Sequence, residues 1–280
     1  MLQTEPPAAT ATEVAVVEAA GARGRTRLRQ RITSLAAIVG VLVLWQLAAT
    51  LHAFPSSVFP SPERVVHDAY IAQFQGFGGH ALLFHAAISV ARVLAGFIAA
   101  VILGVMIGVA MATIPPVHNL IDPWLQFLRP IPPLAFIPLL VLWFGIGELP
   151  KVLLIFFCTL PVIILNTRAG VLGVPASRIR VARCLGASQP QIWRFVILPS
   201  TLPEIFTGMR IGMGIAWTCL VAAEMVAATR GLGWLVLQAG RNLQVGMVFV
   251  AIVVIGLIGY GMDALLGLAE HRTVPWKGRV

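Results

Sequence analysis

Among the ionisable side chains inside long apolar stretches of the sequence, three have candidate roles, namely Arg92, Glu224 and Asp263. A charged group at the centre of a membrane helix costs about 2.5–3.5 kcal/mol on insertion scales, so such a residue usually has a task. One task is to line or gate a path for a polar substrate. The other is structural, either in an ion pair such as Arg92 with Glu224 or in a side chain that reaches the interface. For Glu224 the two interpretations are balanced, whereas the structural one is favoured for Arg92 and Asp263.

A second concentration of charge lies in the middle of the chain, where it could dock a protein or bind anionic lipid. This arginine-rich segment, residues 177–199, reads SRIRVARCLGASQPQIWRFVILP and carries four arginines in a chain that is only 11% charged. Ile179, Ala182 and Leu185 recur at three-residue steps, which predicts a short amphipathic helix over 176–185 with arginines on its other faces. Composition alone does not distinguish a segment that binds anionic lipid from one that binds another protein.

Capping signals divide the arginine-rich segment into two helices. Gly186 is expected to end the first helix, because glycine adopts the left-handed conformation that helix ends often need. Ser188 stands three residues before Gln191, which is the spacing of a capping box, and Pro190 lies in the first turn of the second helix. The Leu-Pro pair at 198–199 is expected to stop that helix. The segment is therefore predicted to be a rigid protrusion, not a flexible loop.

Apolar helices must hold these charged residues. The chain has 280 residues, of which 58% are hydrophobic and 11% charged, whereas soluble domains are about 45–50% apolar and about 25% charged. A bilayer is crossed by roughly 20 apolar residues, and six stretches reach that length: 32–51, 86–113, 124–146, 152–172, 203–228 and 245–269. The predicted fold class is an all-α membrane protein with six transmembrane helices.

The distribution of Lys and Arg predicts the topology. Five arginines precede the first span, and further arginines and a lysine occupy the arginine-rich segment and the C-terminus, while the opposite side holds only Arg64, Lys151, Arg230 and Arg241. Positive charge concentrates on the cytoplasmic side of membrane proteins, so both termini are predicted to be cytoplasmic. We expect a disordered basic tail over 1–31, a transmembrane domain over 32–272 with a cytoplasmic loop at 175–199, and a short tail over 273–280.

Prolines and glycines predict where helices break and where they pack. Four prolines at the start of the third span must make that helix begin irregularly or kink: Pro130, Pro132, Pro133 and Pro138. A broken helix at membrane depth is tolerated where it lines a cavity or is buried, which favours a transport pathway over a simple anchor. The GxxxG pairs at 104–108 and 208–212 predict close helix packing, more readily within the chain than between subunits. A short helix is expected after Ser61-Pro62, and a re-entrant or interfacial one after Gly231.

The motifs of enzymes and cofactor sites are not found in the sequence. It has no GxxxxGK[ST] phosphate loop, no HExxH and no GxSxG, so we expect no catalytic residue, no cofactor and no metal. The six histidines are interpreted as interfacial or solvated. Cys158 and Cys219 lie in apolar runs and are interpreted as packing residues. The net charge of +9 follows from the topology, so no nucleic acid partner is expected.

The stretch RVARCLGASQPQIWRFVILP resembles the cytoplasmic signature of ABC importer permeases, EAA-x3-G-x9-I-x-L-P. Gly186 matches the glycine of that signature, Ala182 its second alanine, and the pair at 198–199 its final Leu-Pro. Val196 stands for the isoleucine. Arg180 departs from the pattern by replacing the glutamate, and the valine after it replaces an alanine. The stretches FPSPERV, LPEIFTGMRIGMGIAWTCLVAAEMVAATRGLGWLV and VPW resemble the nitrate, sulfonate and taurine branch of the same family.

This resemblance implies a type I importer permease in the bacterial inner membrane that works as a homodimer by alternating access. It implies two copies of a separate ATP-binding subunit and an extracytoplasmic solute-binding protein as partners, so this chain would not itself be an enzyme. The implied substrate is a small anion, either an aliphatic sulfonate such as taurine or nitrate. The loop residues implied to couple the chain to the ATPase are Arg180, Ala182, Arg183, Gly186, Ala187, Pro190, Leu198 and Pro199.

A secondary transporter or channel is the alternative that the composition permits. Such a protein predicts inverted internal repeats with matched broken helices. No convincing repeat relates the two halves of this chain.

Overall fold

A computed structural model describes residues 33, 36–37, 39–51, 55 and 58–276, and over these residues the secondary structure is helical. The predicted tail at 1–31 and the last four residues of the predicted tail at 273–280 lie outside the described residues. The chain divides into two compact units, Met1–Arg64 and Val65–Val280. The residues with candidate chemistry all belong to the second unit.

In the first unit, helix α1 (Val39–Thr50) is apolar and is the described part of the first predicted span. The indole Nε1–H of Trp45 donates to the carbonyl oxygen of Pro60 at 3.0 Å, which ties the helix to the loop that follows it. Helix α2 (Pro62–Phe74) begins in this unit. The Ser61 hydroxyl oxygen accepts the backbone N–H of Arg64 at 3.3 Å, so the predicted N-cap is confirmed.

The second unit is built from long helices joined by short ones. In chain order they are α3 (Leu82–Thr113), α4 (Pro115–Leu128), a 3-10 turn (Pro133–Phe136), α5 (Ile137–Phe144), α6 (Glu148–Leu172), α7 (Ala176–Cys184), α8 (Gln189–Ile192), a π turn (Trp193–Ile197), α9 (Leu198–Ala227), α10 (Leu232–Arg241) and α11 (Val245–Thr273). Four helices here are long and apolar enough to cross a membrane, and the count rises to five if the bent pair Pro115–Leu128 and Pro133–Phe144 is one span.

Helices α3, α6 and α9 pack through their small residues. The GxxxG pair Gly104 and Gly108 of α3 lies on α6, where a Cβ at Gly104 would fall 2.8 Å from the Ile163 side chain. The pair on α9 lies against α6 in the same way, and a Cβ at Gly208 would fall 2.7 Å from Asn166. No side chain larger than hydrogen fits at such an approach. The prediction that these motifs pack within the chain is confirmed.

Helix α10 is too short to cross the membrane and packs against the ends of neighbouring helices. It has ten residues, and Leu232, Leu235 and Ala239 are fully buried against α3, α9 and α11. Gly231 precedes it with a φ of +124°, which an L-residue rarely adopts. The short helix expected after Gly231 is therefore present.

The third predicted span, 124–146, is not one straight helix. The helical segments Pro115–Leu128 and Pro133–Phe144 meet at a bend of 93°. Two prolines lie between these segments and two lie within the second one, and each lacks the N–H group that a continuous helix needs, so the predicted irregularity is confirmed. Helix α6 also begins earlier than predicted, at Glu148, which brings Lys151 into the helix.

The expectation that Leu198-Pro199 ends the second helix of the arginine-rich segment is wrong. The helix runs without interruption over the 39 residues of Gln189–Ala227, which joins the segment directly to the fifth span. The physical reason is the π turn Trp193–Ile197, which changes the hydrogen-bond register just before the proline. The N–H of Leu198 donates to the carbonyl oxygen of Trp193, five residues back, and the shifted register accommodates Pro199, which has no N–H.

Candidate functional site

Arg92 lies in a buried polar cluster where α3, α6 and α9 meet. Its Nη1 donates to Oε1 of Glu224 at 2.7 Å and to the carbonyl oxygen of Arg230 at 2.8 Å. Its Nε and Nη2 donate to the two carboxylate oxygens of Glu148, the latter at 2.7 Å. The planar guanidinium thus forms a bidentate salt bridge with Glu148 and a single charged hydrogen bond with Glu224. One side chain, only 3% exposed, connects three helices.

Glu224 is the most enclosed member of the polar cluster. Its carboxylate accepts the Ser89 hydroxyl at 2.8 Å and the backbone N–H of Gly233 at 2.9 Å, in addition to Arg92. A Cβ at Gly231 would overlap the carboxylate, so only glycine permits the loop to pass this close. A buried carboxylate requires such donors because it has left water. Glu224 therefore fastens the start of α10 to α3 and α9.

His85 belongs to the same polar cluster, contrary to the prediction that the histidines are interfacial or solvated. It is fully buried, and its Nδ1 accepts the backbone N–H of Gly231 at 3.1 Å. Nε2 is therefore the nitrogen that donates to the carbonyl oxygen of Phe77, at 3.0 Å. The imidazole stacks on Trp234 with 5.4 Å between ring centroids. The spacing of His85, Ser89 and Arg92 places three polar residues on one face of α3, and this signal was available in the sequence.

Glu148 and Lys151 complete the polar cluster from the first turn of α6. The Lys151 side chain is 4% exposed, and its Nζ lies 3.5 Å from Oε1 of Glu148. The Glu148 side chain is 54% exposed although Arg92 holds it. The sequence alone does not indicate a role for Glu148 and Lys151 in the cluster, because both precede the apolar run and helix α6 starts before that run.

Asp263 lies apart from the polar cluster and pairs with a different arginine. Its two carboxylate oxygens accept Nε and Nη2 of Arg210 at 2.9 and 2.7 Å, which links α11 to α9. Both side chains are 43% exposed. Glu270 extends the group, with Oε2 at 3.7 Å from Nη1 of Arg210. The structure therefore pairs Arg92 with Glu224, as the structural interpretation predicted, and pairs Asp263 with Arg210, a contact that no sequence pattern indicated.

Helix α7 of the arginine-rich segment ends in a Schellman motif at the predicted glycine. The N–H of Gly186 donates to the carbonyl oxygen of Arg183 at 2.9 Å, and the N–H of Ala187 to that of Ala182 at 3.0 Å. Gly186 has a φ of +79°, in the left-handed region that favours glycine. The predicted end of the first helix at Gly186 is confirmed, and its backbone conformation explains why the segment needs glycine at this point.

The second helix of the segment begins as its capping signals predict. The backbone N–H of Ser188 donates to Oε1 of Gln191 at 2.7 Å, which is one half of a capping box, and Pro190 lies in the first turn. Around this turn the segment exposes both charged and apolar side chains: Arg178, Arg180, Val181, Arg183, Leu185, Arg194 and Phe195. Val181, Leu185 and Phe195 border an open groove between α7 and the helix that continues into α9.

The polar cluster and the arginine-rich segment lie at opposite ends of the helices that join them. Helix α6 begins at the cluster with Glu148 and ends just before the segment, a length of about 37 Å. Helix α9 returns from the segment and reaches the cluster at Glu224. Within the described part of the chain, no three His, Cys, Asp or Glu side chains are grouped as they are around a metal ion.

Residues 100–275 match the family described as "Binding-protein-dependent transport system inner membrane component". The chain is 42% identical to the taurine transport system permease protein TauC of Escherichia coli over 90% of this chain and 92% of that protein. It is 32% identical to the nitrate import permease protein NrtB of a Synechocystis species over 85% of this chain and 88% of that protein.

Among solved structures, the fold is similar to an inward-facing conformation of the MetNI methionine ABC transporter. The TM-score is 0.57 at 21% identity, covering 69% of this chain and 94% of the other, and this likeness concerns the fold alone. The helical membrane fold predicted from the sequence is confirmed. The chain belongs to the family of inner membrane components of binding-protein-dependent transport systems, and it is a multi-pass inner membrane protein.

Proposed function

We propose that the chain is the membrane-spanning subunit of an ATP-driven importer for a small anion, and that this anion is an aliphatic sulfonate such as taurine. The observation that carries the proposal is the 42% identity to a taurine transport permease over 90% of the chain. Nitrate is the second candidate because the relative with a nitrate import function is 32% identical. Membership of the family favours an importer over the secondary transporter or channel that composition alone permits.

The arginine-rich segment is the part of the chain that we propose contacts a separate ATP-binding subunit. Arg180 and Arg183 are exposed, and no ion pair within the described residues engages them. Leu185 is 83% exposed beside them. A rigid surface that combines free arginines with exposed apolar side chains suits a protein groove. The proposed coupling residues are Arg180, Ala182, Arg183, Gly186, Ala187, Pro190, Leu198 and Pro199.

The continuous helix Gln189–Ala227 offers a route by which movement of the segment would reach the other side of the membrane. Its 39 residues span about 58 Å. Glu224 lies near its far end and is joined through Arg92 to α3 and α6. A push on the segment would therefore strain the polar cluster. We place the outer gate at Arg92 and Glu224 on this ground.

Asp263 and Arg210 are proposed to line the path at an intermediate depth. Asp263 lies ten residues before the end of α11, about 15 Å along the helix, and yet it is 43% exposed. Charged groups facing lipid at such a depth are costly. The face that carries the pair is therefore expected to adjoin water or a second copy of the chain.

The full assembly proposed here contains two copies of this chain, two copies of an ATP-binding subunit and an extracytoplasmic solute-binding protein, in a lipid bilayer. ATP hydrolysis would take place on the ATP-binding subunit, so this chain would act as a transport subunit and not as an enzyme. Coexpression with both partner proteins and copurification through a tag on this chain would test the composition.

The substrate is tested by competition for uptake in cells that express the complete transporter. Labelled taurine uptake is expected to be suppressed by excess ethanesulfonate and to persist in the same excess of nitrate. Suppression by nitrate alone, with nitrate itself accumulated, would make nitrate the substrate. Absence of uptake of either anion by a complex that assembles would contradict the proposal.

A further inference from the structure

Two buried cations in the polar cluster are directed at one carboxylate that is itself exposed. Arg92 and Lys151 are 3% and 4% exposed, while the Glu148 side chain is 54% exposed. The ammonium of Lys151 has three N–H groups, and within the described residues its one hydrogen bond is the 3.5 Å contact to Glu148. Lys151 is thus a buried cation whose donors are largely unused.

The charges of the cluster balance only while Glu148 is turned inward. Arg92 and Lys151 face Glu148 and Glu224, which gives two positive and two negative groups. Glu224 is fully buried and accepts hydrogen bonds from Ser89, Arg92 and Gly233, so its carboxylate does not reach water. Glu148 is the first residue of α6 and follows two glycines in the turn, so its side chain is the one free to rotate into water. Its rotation would leave one uncompensated positive charge.

We propose that Arg92 and Lys151 form a binding site for the sulfonate group of the substrate, and that Glu148 occupies this site as an internal competitor in the present structure. The inference rests on the proposed function. Substrate would enter as Glu148 turns outward, and the returning carboxylate would displace it. An internal competitor keeps two buried cations paired between transport cycles, since an unpaired buried charge is strongly destabilising.

The chemistry of a sulfonate fits the site that Glu148 would vacate. It carries one negative charge, which restores the balance, and three oxygens, which can accept both prongs of the Arg92 fork and an N–H of Lys151 together. Taurine also carries an ammonium group, and the displaced Glu148 carboxylate lies beside the site to pair with it. The same geometry therefore favours an aminosulfonate over a planar anion without an ammonium group.

The test measures thermal unfolding of the assembled transporter in detergent against increasing sodium ethanesulfonate, with sodium chloride at equal ionic strength as the reference. Glu148→Gln removes the competing charge, and we expect the half-maximal ethanesulfonate concentration to fall roughly 10- to 100-fold, as for loss of a charge-assisted competitor. Glu63→Gln, at an exposed acid on α2, is the matched control and should leave this concentration unchanged. The double variant Glu148→Gln with Lys151→Gln should lose the gain.

Two results would overturn the inference. One is a Glu148→Gln complex that assembles and shows no greater stabilisation by ethanesulfonate than the wild type. The other applies if that variant does not assemble: Lys151→Gln alone must then weaken the stabilisation of the complex by ethanesulfonate, and an unchanged response contradicts the site. Taurine uptake by the wild-type transporter is measured separately, so wild-type uptake with a negative binding result rejects this site and leaves the proposed function standing.

Discussion

Substitution of Gly186 tests the backbone conformation of the arginine-rich segment without introducing a steric clash. The residue has a φ of +79°, and a Cβ added to it would meet no atom within 4 Å. A larger side chain therefore fits, and the effect of substitution comes from the backbone alone. An L-residue held in the left-handed conformation costs roughly 1–2 kcal/mol, more for a β-branched residue and less for asparagine.

This conformational energy sets the fraction of molecules in which the arginine-rich segment has the conformation proposed to bind the ATP-binding subunit. A cost of about 1–2 kcal/mol shifts a two-state equilibrium by roughly 5- to 30-fold. Gly186→Val should lower ATP-driven uptake by about that factor, because the Schellman hydrogen bonds of Gly186 and Ala187 must break or bear the strain. Gly186→Asn, which has a side chain of similar bulk, should retain most of the uptake.

The assay compares initial rates of labelled taurine uptake in cells with equal amounts of each variant in the membrane, verified by quantitative blotting. ATPase activity of the purified complexes, with and without the solute-binding protein, shows whether coupling is the step that fails. Wild-type uptake by Gly186→Val would show that coupling does not need the left-handed backbone conformation of Gly186. Equal losses in the valine and asparagine variants would show that bulk, and not backbone conformation, matters at this position.

Three further predictions concern the helices. Glu224→Gln removes the charge that faces Arg92 and should reduce uptake at least tenfold with assembly intact, whereas loss of the complex on size-exclusion chromatography would assign Glu224 a purely structural role. Gly108→Leu places a Cβ 2.7 Å from that of Thr167 and should cost about 1–3 kcal/mol, seen as a lower thermal midpoint than for Gly256→Ala, where the space is open. Arg210→Asp combined with Asp263→Arg should restore uptake that either single change lowers; no rescue would show that their salt bridge is not what matters.

Much of the helical framework could be predicted from the sequence because it follows from composition and local signals. Apolar length identified the spans, and the GxxxG pairs identified faces that do pack within the chain. The left-handed residue at Gly186 and the capping box after it were predicted because each depends on a few neighbouring residues. Charges inside spans indicated Arg92 and Glu224, whose pairing the structure shows.

The rest of the candidate site depends on relations that no local pattern encodes. Lys151 and Glu148 lie in a connection by sequence, and their place in the cluster follows from where α6 begins and how it packs beside α3. The spacing of His85 and Arg92 on α3 was available in the sequence, but the stacking of His85 on Trp234 depends on how α10 packs. The helix does not stop at Leu198-Pro199 because a π turn precedes the pair, and π turns have no reliable sequence signature.

This chain departs from the family signature at the position where the signature has a glutamate. Arg180 occupies it, and the side chain is exposed with no ion pair to another described residue. A glutamate at that position would present the opposite charge to a docked subunit. Arg180→Glu, measured for copurification with the ATP-binding subunit, therefore reports whether the partner of this chain carries an acidic contact; retention of the complex at wild-type yield would mean that it does not.

The proposed ATP-driven import is measured directly as accumulation of labelled taurine in proteoliposomes that contain this chain and its ATP-binding subunit, with the solute-binding protein supplied on the outside and ATP within. For an ATP-driven importer, we expect accumulation above the external concentration that requires both ATP and the solute-binding protein. Accumulation driven by an ion gradient without ATP would contradict this expectation, and so would uptake that continues unchanged when the ATP-binding subunit is omitted.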